Sequence, residues 1–227
     1  VMISDKKVLA VIPARGKSLE VPRKNLKLLN GKPLVAWSIE QGKKSKYIDE
    51  VIVSTEDEEI KKVSKKYSAK VIERPQELAT HNSPTVEAVK HVLTKMKGFE
   101  IVVLLQPTSP LRLPDDIDKA LELFASKKCD SVVSVCRPHT SPYWSFKMNR
   151  NYLKPIFGFQ FLVNKRRQDL PETFIPNGAI YIATREHIFK NNSFFSKKTI
   201  PYIMPPERSI DLDTEFDFEP VSYTHLR

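Results

Sequence analysis

Short runs of apolar, mostly β-branched residues alternate along this chain with longer segments in which apolar residues recur at helical spacing. Such alternation is typical of a mainly parallel sheet that is covered by helices on both faces. The predicted strands are Val8–Ile12, Glu50–Ser54, Ala69–Ile72, Ile101–Gln106, Ser131–Cys136, Ala179–Ala183 and Thr199–Ile203. The predicted helices are Leu34–Lys44, Glu56–Tyr67, Thr85–Met96 and Pro114–Ser126. The pattern therefore predicts a three-layer α/β fold.

The stretch from Arg137 to Ile175 breaks this rhythm, because it is rich in proline, basic and aromatic residues. We expect an inserted hairpin arm that packs against a second subunit; folding back on its own domain is the alternative. The chain then divides into a first core part at 1–136, the arm at 137–175, a second core part at 176–219 and an end at 220–227. Pro220 and the absence of helical patterning after it predict an atypical tail.

The composition excludes several classes of protein. No apolar run approaches the roughly 20 residues that span a bilayer, and Val8–Ile12 is too short for a signal-peptide core, so we expect a cytoplasmic protein with no membrane partner. Cys129 and Cys136 are the only cysteines, which gives no disulfide or zinc framework. The net charge of +10 suits a polyanionic partner, whether nucleic acid, a membrane surface or a small phosphorylated ligand, and does not decide among them. Its basic residues are spread along the chain without a nucleic-acid motif, so we expect no nucleic-acid partner.

A basic loop follows the first predicted strand, at the edge where open α/β sheets bind their ligands. Its four cations suit a triphosphate, although a solvated loop is the alternative. They are Arg15, Lys17, Arg23 and Lys24. The tripeptide at residues 16–18 reads Gly-Lys-Ser but is not a P-loop, because Val11 stands where that motif needs glycine and Pro22 interrupts the helix that should follow.

Asp211 and Asp213 stand two residues apart after the last predicted strand. Residues i and i+2 of an extended segment point the same way, so both carboxylates can face one cation. Hard carboxylate oxygens beside substrate phosphates suit Mg²⁺. A capping or turn pair ahead of a helix that Glu215 leads is the alternative.

Eight short segments, in this order and at this spacing, resemble the acylneuraminate cytidylyltransferases, which activate sialic acid, and their relatives for pseudaminic and legionaminic acids. The segments are Pro13–Arg15, Pro22–Asn25, Gly31–Leu34, Val53–Thr55, Arg74–Ala79, Leu104–Arg112, Pro176–Tyr181 and Ile210–Glu215. The resemblance implies a Rossmann-like nucleotidyltransferase fold and a homodimer whose arm reaches the neighbour's active site. It also implies transfer of a nucleoside monophosphate, CMP from CTP, to the anomeric hydroxyl of a nine-carbon 2-keto acid sugar, with Mg²⁺ and release of pyrophosphate.

The resemblance also implies roles for individual residues. The implied nucleotide-binding residues are Ala14, Arg15, Lys24 and Asn25. The implied catalytic residues are Arg15, Lys24, Asp211 and Asp213, of which the two aspartates hold the metal. The implied sugar-binding residues are Gln106, Arg167, Asn177, Tyr181, Phe194 and Phe195. Arg167 would reach the sugar carboxylate from the arm of a partner, whereas core packing is the alternative role for Tyr181 and the two phenylalanines.

The chain departs from the family's loop pattern, A-R-G-G-S-K-G-x-P-x-K-N. Leu19 stands at the position of the lysine and Glu20 at that of the following glycine. Either Lys17 supplies the lost charge from a rearranged loop, or Glu20 points to solvent. His81 in place of an aspartate and Ile175 in place of an arginine are further departures. Ile175 and the run Pro142–Trp144 favour a nine-carbon acid other than sialic acid. Two other functions stay open: the same fold using GTP or UTP, or a catalytically impaired homologue that binds nucleotide or sugar.

Overall fold

The computed structural model describes residue 3 and residues 5–224, with side chains up to Glu219. Its centre is a seven-stranded sheet. In chain order the strands of this sheet are β1 (Val8–Pro13), β4 (Glu50–Thr55), β5 (Lys70–Glu73), β6 (Ile101–Leu104), β7 (Ser131–Cys136), β10 (Ile175–Thr184) and β11 (Thr199–Ile203). In space they follow the order β11-β7-β10-β6-β1-β4-β5. All run parallel except β10, which pairs antiparallel with both β6 and β7.

Helices cover both faces of this sheet. They are α1 (Leu34–Lys44), α2 (Glu58–Lys66), α3 (Thr85–Lys95), α4 (Pro114–Ser126) and α5 (Arg185–Asn191). The even-numbered apolar residues of β1 belong to the core cluster that contains α1, α2 and α4, and its odd-numbered ones belong to the cluster that contains α3 and α5. A strand buried on both faces reads as a continuous apolar run, which is the pattern that predicted it. The predicted three-layer α/β fold with a mainly parallel sheet is confirmed.

A tight hairpin connects the basic loop to α1. Strands β2 (Leu28–Leu29) and β3 (Lys32–Pro33) pair antiparallel, and the two turn residues Asn30 and Gly31 have φ angles of 47° and 73°. Asparagine followed by glycine favours such a turn because both tolerate positive φ. Lys27, just before the hairpin, accepts the Leu34 N–H through its carbonyl at 3.0 Å, so the loop is fixed to the start of α1.

The arm contains the predicted hairpin. Strands β8 (Phe146–Asn149) and β9 (Tyr152–Pro155) pair antiparallel outside the main sheet. At its base the Tyr143 ring lies 4.9 Å from the Phe157 ring and 4.5 Å from the Phe161 ring, measured between centroids. The arm thus has a small aromatic cluster of its own, while its function in dimerisation stays a prediction.

The end of the chain forms a helix that extends past the point where helical patterning stops. Helix α6 (Glu215–Thr224) continues through Pro220. A proline removes one backbone donor, and here the helix extends past it. The lack of helical patterning after Pro220 gave no sign of this extension to Thr224. The atypical tail stays a prediction, and residues 225–227 lie outside the described part of the chain. Among the described helices, none is long and apolar enough to cross a membrane.

Candidate active site

A cleft of about 370 Å³ lies at the carboxyl edge of the parallel strands. The loops that follow β1, β5, β6 and β11 converge there, because the carboxyl ends of parallel strands meet at one edge of a sheet. Residues far apart in the sequence therefore line one cavity. They include Arg15, Ser18, Lys24, Asn25, Arg74, Thr80, His81, Gln106, Thr108, Asp211 and Asp213. The structure brings together two of the four predicted phosphate cations, Arg15 and Lys24, with the predicted metal carboxylates and one predicted sugar contact.

The base of the basic loop is built from backbone contacts. The buried Ala14 donates its N–H to the Ser54 carbonyl at 3.0 Å, which extends the ladder between β1 and β4 by one residue. The Asn25 side chain donates to the Arg15 carbonyl at 2.9 Å and so closes the loop across its neck. Arg15 in turn donates to the Thr80 carbonyl at 3.2 Å. These contacts fix the loop, and Arg15 lines the cleft.

The loop residues that depart from the family's pattern face water. Leu19 is 69% exposed, and Lys17 and Glu20 are also exposed. Glu20 therefore follows the second of the two predicted alternatives and points to solvent. Whether Lys17 supplies the missing charge to a bound triphosphate stays a prediction.

The two carboxylates of the predicted metal pair differ in environment. Asp213 is exposed and pairs with Lys24, whose Nζ lies 2.8 Å from Oδ1. Asp211 is largely enclosed, and within the described residues its Oδ1 is buried without a hydrogen-bond partner. Burial, reinforced by repulsion from the Asp213 carboxylate, raises the pKa of Asp211 to about 6. An enclosed carboxylate with an unsatisfied oxygen is a group that a cation would stabilise.

Gly178 permits the close packing around Asp211. Its φ of +75° is unfavourable for any residue with a side chain. A methyl group there would also lie 2.9 Å from Gln106 Oε1 and 3.3 Å from Asp211 Oδ2. Glycine is therefore needed here both for backbone conformation and for space.

Arg112 fixes the backbone of Gln106, a residue that lines the cleft. It is fully buried, and its guanidinium donates to the Gln106 carbonyl at 2.7 Å, to the Ala179 carbonyl at 2.5 Å and to Gln41 Oε1 at 3.1 Å. Burial lowers its pKa to about 9. These bonds join the loop after β6 to β10 and α1, so Arg112 has a structural function.

The remaining predicted sugar contacts in the core have protein partners. Asn177 is 4% exposed; its Oδ1 accepts from Ser134 Oγ at 2.6 Å and its Nδ2 donates to Ser209 Oγ at 2.8 Å. It thereby joins β7 and β10 to the segment that leads to Asp211. Its contact with a sugar stays a prediction.

Tyr181, Phe194 and Phe195 form an aromatic group beside this segment. The Tyr181 ring centroid lies 5.7 Å from that of Phe194 and 6.2 Å from that of Phe195. Phe194 is buried in the core cluster of α3 and α5, whereas Phe195 is 50% exposed. Burial raises the pKa of Tyr181. Phe194 therefore has the packing function given as its alternative, and sugar binding by the group stays a prediction.

Arg167 lies in a different cavity, of about 410 Å³, at the base of the arm. Arg137 and Gln168 also line this cavity. The Arg167 guanidinium donates to the Pro138 carbonyl at 2.8 Å. Within one chain Arg167 is thus separate from the cleft, and its predicted contact with a sugar in the partner's site stays a prediction.

Arg74 lines the cleft although sequence analysis gave it no role. It is 6% exposed, and it donates to Ser54 Oγ at 3.1 Å and to the Ser54 carbonyl at 2.6 Å. Burial lowers its pKa. Its position two residues after the predicted strand Ala69–Ile72 was the available signal, since residues at that place reach the carboxyl edge of the sheet.

The fold and the cleft together define an α/β protein of the doubly wound class, with its ligand site at the carboxyl edge of the sheet. The sequence model of the cytidylyltransferase family matches residues 9–204, and the chain belongs to this family. The predicted family membership is confirmed.

Individual proteins agree with this assignment. The chain is 36% identical over 214 residues to N-acylneuraminate cytidylyltransferase of Escherichia coli, a match that covers 94% of this chain and 51% of the relative. It is 39% identical over 220 residues to CMP-N,N'-diacetyllegionaminic acid synthase of Legionella pneumophila, with 93% of each chain covered. The chain thus spans about half the length of the first relative and nearly all of the second.

A solved structure confirms the fold. CMP:2-keto-3-deoxy-manno-octonic acid synthetase, in complex with CTP, superposes with a TM-score of 0.71 over 95% of this chain and 97% of that chain. Its sequence is 18% identical. At 18% sequence identity, the similarity shows a shared fold alone.

Proposed function

We propose that this chain transfers CMP from CTP to the anomeric hydroxyl of a nine-carbon 2-keto acid sugar and releases pyrophosphate. The observation that carries the proposal is one cleft in which Arg15 and Lys24 lie with Asp211 and Asp213. Cations for a triphosphate and carboxylates for a metal are what nucleotidyl transfer requires. The names of the two relatives, one for N-acylneuraminate and one for diacetyllegionaminic acid, support this class of sugar.

The carboxylate pair fits a divalent cation. Asp211 offers a buried oxygen that has no hydrogen-bond partner among the described residues, and Asp213 offers a second carboxylate at the same cleft. The described residues include no cluster of three or more acidic, histidine or cysteine side chains that could hold a metal ion. A metal would therefore take its other ligands from phosphate and water, as Mg²⁺ commonly does. We assign Asp211 and Asp213 to Mg²⁺, which when bound would withdraw charge from the α-phosphate.

The chain's own cations act on the phosphates. The sugar hydroxyl oxygen forms a bond to the α-phosphorus while the bond to the pyrophosphate oxygen breaks, and the hydroxyl proton leaves to solvent. Negative charge then grows on the leaving pyrophosphate, where Arg15 and Lys24 stabilise it. Gln106, which lines the cleft and whose carbonyl accepts a hydrogen bond from Arg112, orients the sugar.

We also propose that two copies of the chain associate through their arms. The arm exposes many large apolar side chains, and surfaces of this kind mark protein interfaces. They are Phe146, Met148, Tyr152, Leu153, Ile156, Phe157, Phe159 and Val163. Association would bring Arg167 to the sugar carboxylate in the partner's cleft.

The experiment that tests the reaction is pyrophosphate release in the presence of Mg²⁺. Each of the four nucleoside triphosphates is combined with sialic, legionaminic and pseudaminic acid. We expect release with CTP and one of these acids, and none from the variant Asp213→Ala. Release with GTP or UTP instead would overturn the nucleotide assignment. If no combination releases pyrophosphate while an active relative does so as the control, the result would support the alternative of a catalytically impaired homologue.

A further inference from the structure

Arg23 lies directly before Lys24, but its guanidinium points to the start of helix α2. Nη1 donates to Asp57 Oδ2 at 2.6 Å, and Nη2 donates to Asp57 Oδ1 at 3.3 Å. Nη2 also forms an ion pair with Glu59. Two carboxylates thus neutralise a cation that the sequence had suggested for a triphosphate.

The same acidic turn holds the beginning of the basic loop. Gly16 donates its N–H to Glu56 Oε1 at 2.7 Å. Its Cα packs so closely on Asp57 that a methyl group would lie 2.4 Å from Oδ2. Asp57 therefore lies between Gly16 at one end of the loop and Arg23 at the other, and both ends are tied to one turn.

Asp57 is itself a fixed anchor. It is the N-cap of α2, and its Oδ1 accepts the N–H groups of Glu59 and Ile60, each at 3.0 Å. Partial burial opposes ionisation, but hydrogen bonds from Ile60 and Arg23 outweigh it and hold the pKa of Asp57 below its ordinary value. The carboxylate is therefore charged at neutral pH and held in place by the helix.

We infer that Arg23 is a positioning residue that clamps the basic loop to α2 through Asp57 and Glu59, and so places Lys24 and Arg15 in the cleft. The backbone explains how this contact reaches Lys24. Arg23 adopts a left-handed φ of 57°, and its carbonyl accepts the Leu26 N–H at 2.8 Å, so Lys24 lies within a tight turn that Arg23 begins. The inference rests on the nucleotide binding proposed above.

Removing a carboxylate partner of Arg23 distinguishes between two roles for this residue, a clamp on the loop and a ligand of the phosphates. If Arg23 clamps the loop, Glu59→Gln loosens the loop and weakens CTP binding. If Arg23 instead binds phosphate, the same change frees it from a competitor and strengthens CTP binding. Glu58→Gln is the matched control, because Glu58 lies in the same helical turn and pairs with Lys61, at 2.7 Å.

The dissociation constant of CTP, measured by calorimetry, gives the first readout. Exposed ion pairs shift an equilibrium by up to about fivefold each. We expect Arg23→Gln to raise Kd about five- to tenfold and Glu59→Gln about two- to threefold relative to Glu58→Gln. Arg23→Lys should recover part of the loss, and adding Glu59→Gln to Arg23→Gln should weaken binding no further. An unchanged Kd in Arg23→Gln, or tighter binding in Glu59→Gln, would overturn the inference.

Hydrogen–deuterium exchange without nucleotide gives an independent readout. Amides between Gly16 and Lys24 should exchange faster in Arg23→Gln and Glu59→Gln than in wild type and Glu58→Gln. Faster exchange in a protein whose wild type binds no CTP would leave the clamp standing and remove the proposed function. Unchanged exchange rates in both variants would refute the clamp, whatever the measured Kd of CTP.

Discussion

The cleft and the arm differ in how their side chains find partners within the chain. Around the cleft, buried polar groups such as Arg112 and Asn177 are hydrogen-bonded to residues from other parts of the same chain. In the arm, Tyr152 is 78% exposed and Phe159 is 67% exposed. The difference sets a cleft whose buried polar groups are bonded within one chain against an arm whose apolar surface is exposed, for which we propose a partner.

Asp211→Asn should cause the largest change, because it removes one of two carboxylates assigned to Mg²⁺. We expect pyrophosphate release to fall by about 10³-fold or more, since the charge on the phosphates would lose its metal. Manganese binding to the protein without nucleotide, followed by electron paramagnetic resonance, should also be lost. Asp115→Asn is the control, because Asp115 pairs with Lys119 on the exposed side of α4. Normal metal binding by Asp211→Asn would refute the metal assignment.

Gly178→Ala tests whether the cleft is as closely packed as its geometry indicates. The added methyl would press on Gln106 and Asp211 in an unfavourable backbone conformation. We expect kcat/KM to fall by about 100-fold, because a displacement of about 1 Å at a reacting centre can lower the rate by about that factor. The rate of pyrophosphate release and the free energy of unfolding should both be measured.

Gly98→Ala is the matched control for this change. Gly98 has a φ of +81°, similar to that of Gly178, but among the described residues, its two neighbours in the chain apart, no atom lies within 4 Å of its added methyl. It should therefore show only the backbone cost, about 1 kcal/mol, with activity unchanged. Equal losses of activity in both variants would mean that crowding at Gly178 has no part in catalysis.

Much of the core could be predicted from sequence, because apolar periodicity reports burial directly. The bounds of α1, α4, β7 and β11 were predicted to the residue. The antiparallel direction of β10 was not, since an apolar run does not show which way a strand points. The short helix α5 was also missed, because seven residues carry little periodic signal.

The candidate site could be predicted in part. Family motifs located Asp211, Asp213 and Lys24, which the structure places in one cleft. The direction of Arg23 could not be predicted, because its partners lie 34 and 36 residues away in sequence and charge alone favoured a phosphate. Long-range pairing of polar groups leaves no local pattern, which is why the clamp is visible only in three dimensions.

Phe159→Asp tests the arm side of the contrast. A charge placed in the apolar surface should separate the proposed dimer, so we expect a monomer at micromolar concentration by sedimentation. Because the proposal takes Arg167 from the partner, KM for the sugar should rise about tenfold while the Kd of CTP stays unchanged. Phe216→Asp is the control, since Phe216 is 77% exposed outside the arm. Wild-type protein that is already monomeric and fully active would overturn the proposed dimer.

The smallest expected effect is the pH dependence of stability without metal. The pKa of Asp211 is about 6 in the folded chain and 3.8 ordinarily, so the folded state holds this proton more tightly than the unfolded state. Its stabilising contribution is therefore fully present below about pH 4 and is lost as the pH rises through about 6. A shift of about two pKa units corresponds to about 3 kcal/mol, which partial exposure of the side chain reduces to about 1 to 2 kcal/mol. Asp211→Asn does not titrate, so in urea unfolding with a chelator its advantage over wild type should grow by that amount between pH 4 and pH 7. If the difference in free energy of unfolding between Asp211→Asn and wild type stayed constant over this range, Asp211 would not be desolvated. The cleft would then be more open to water than the structure indicates.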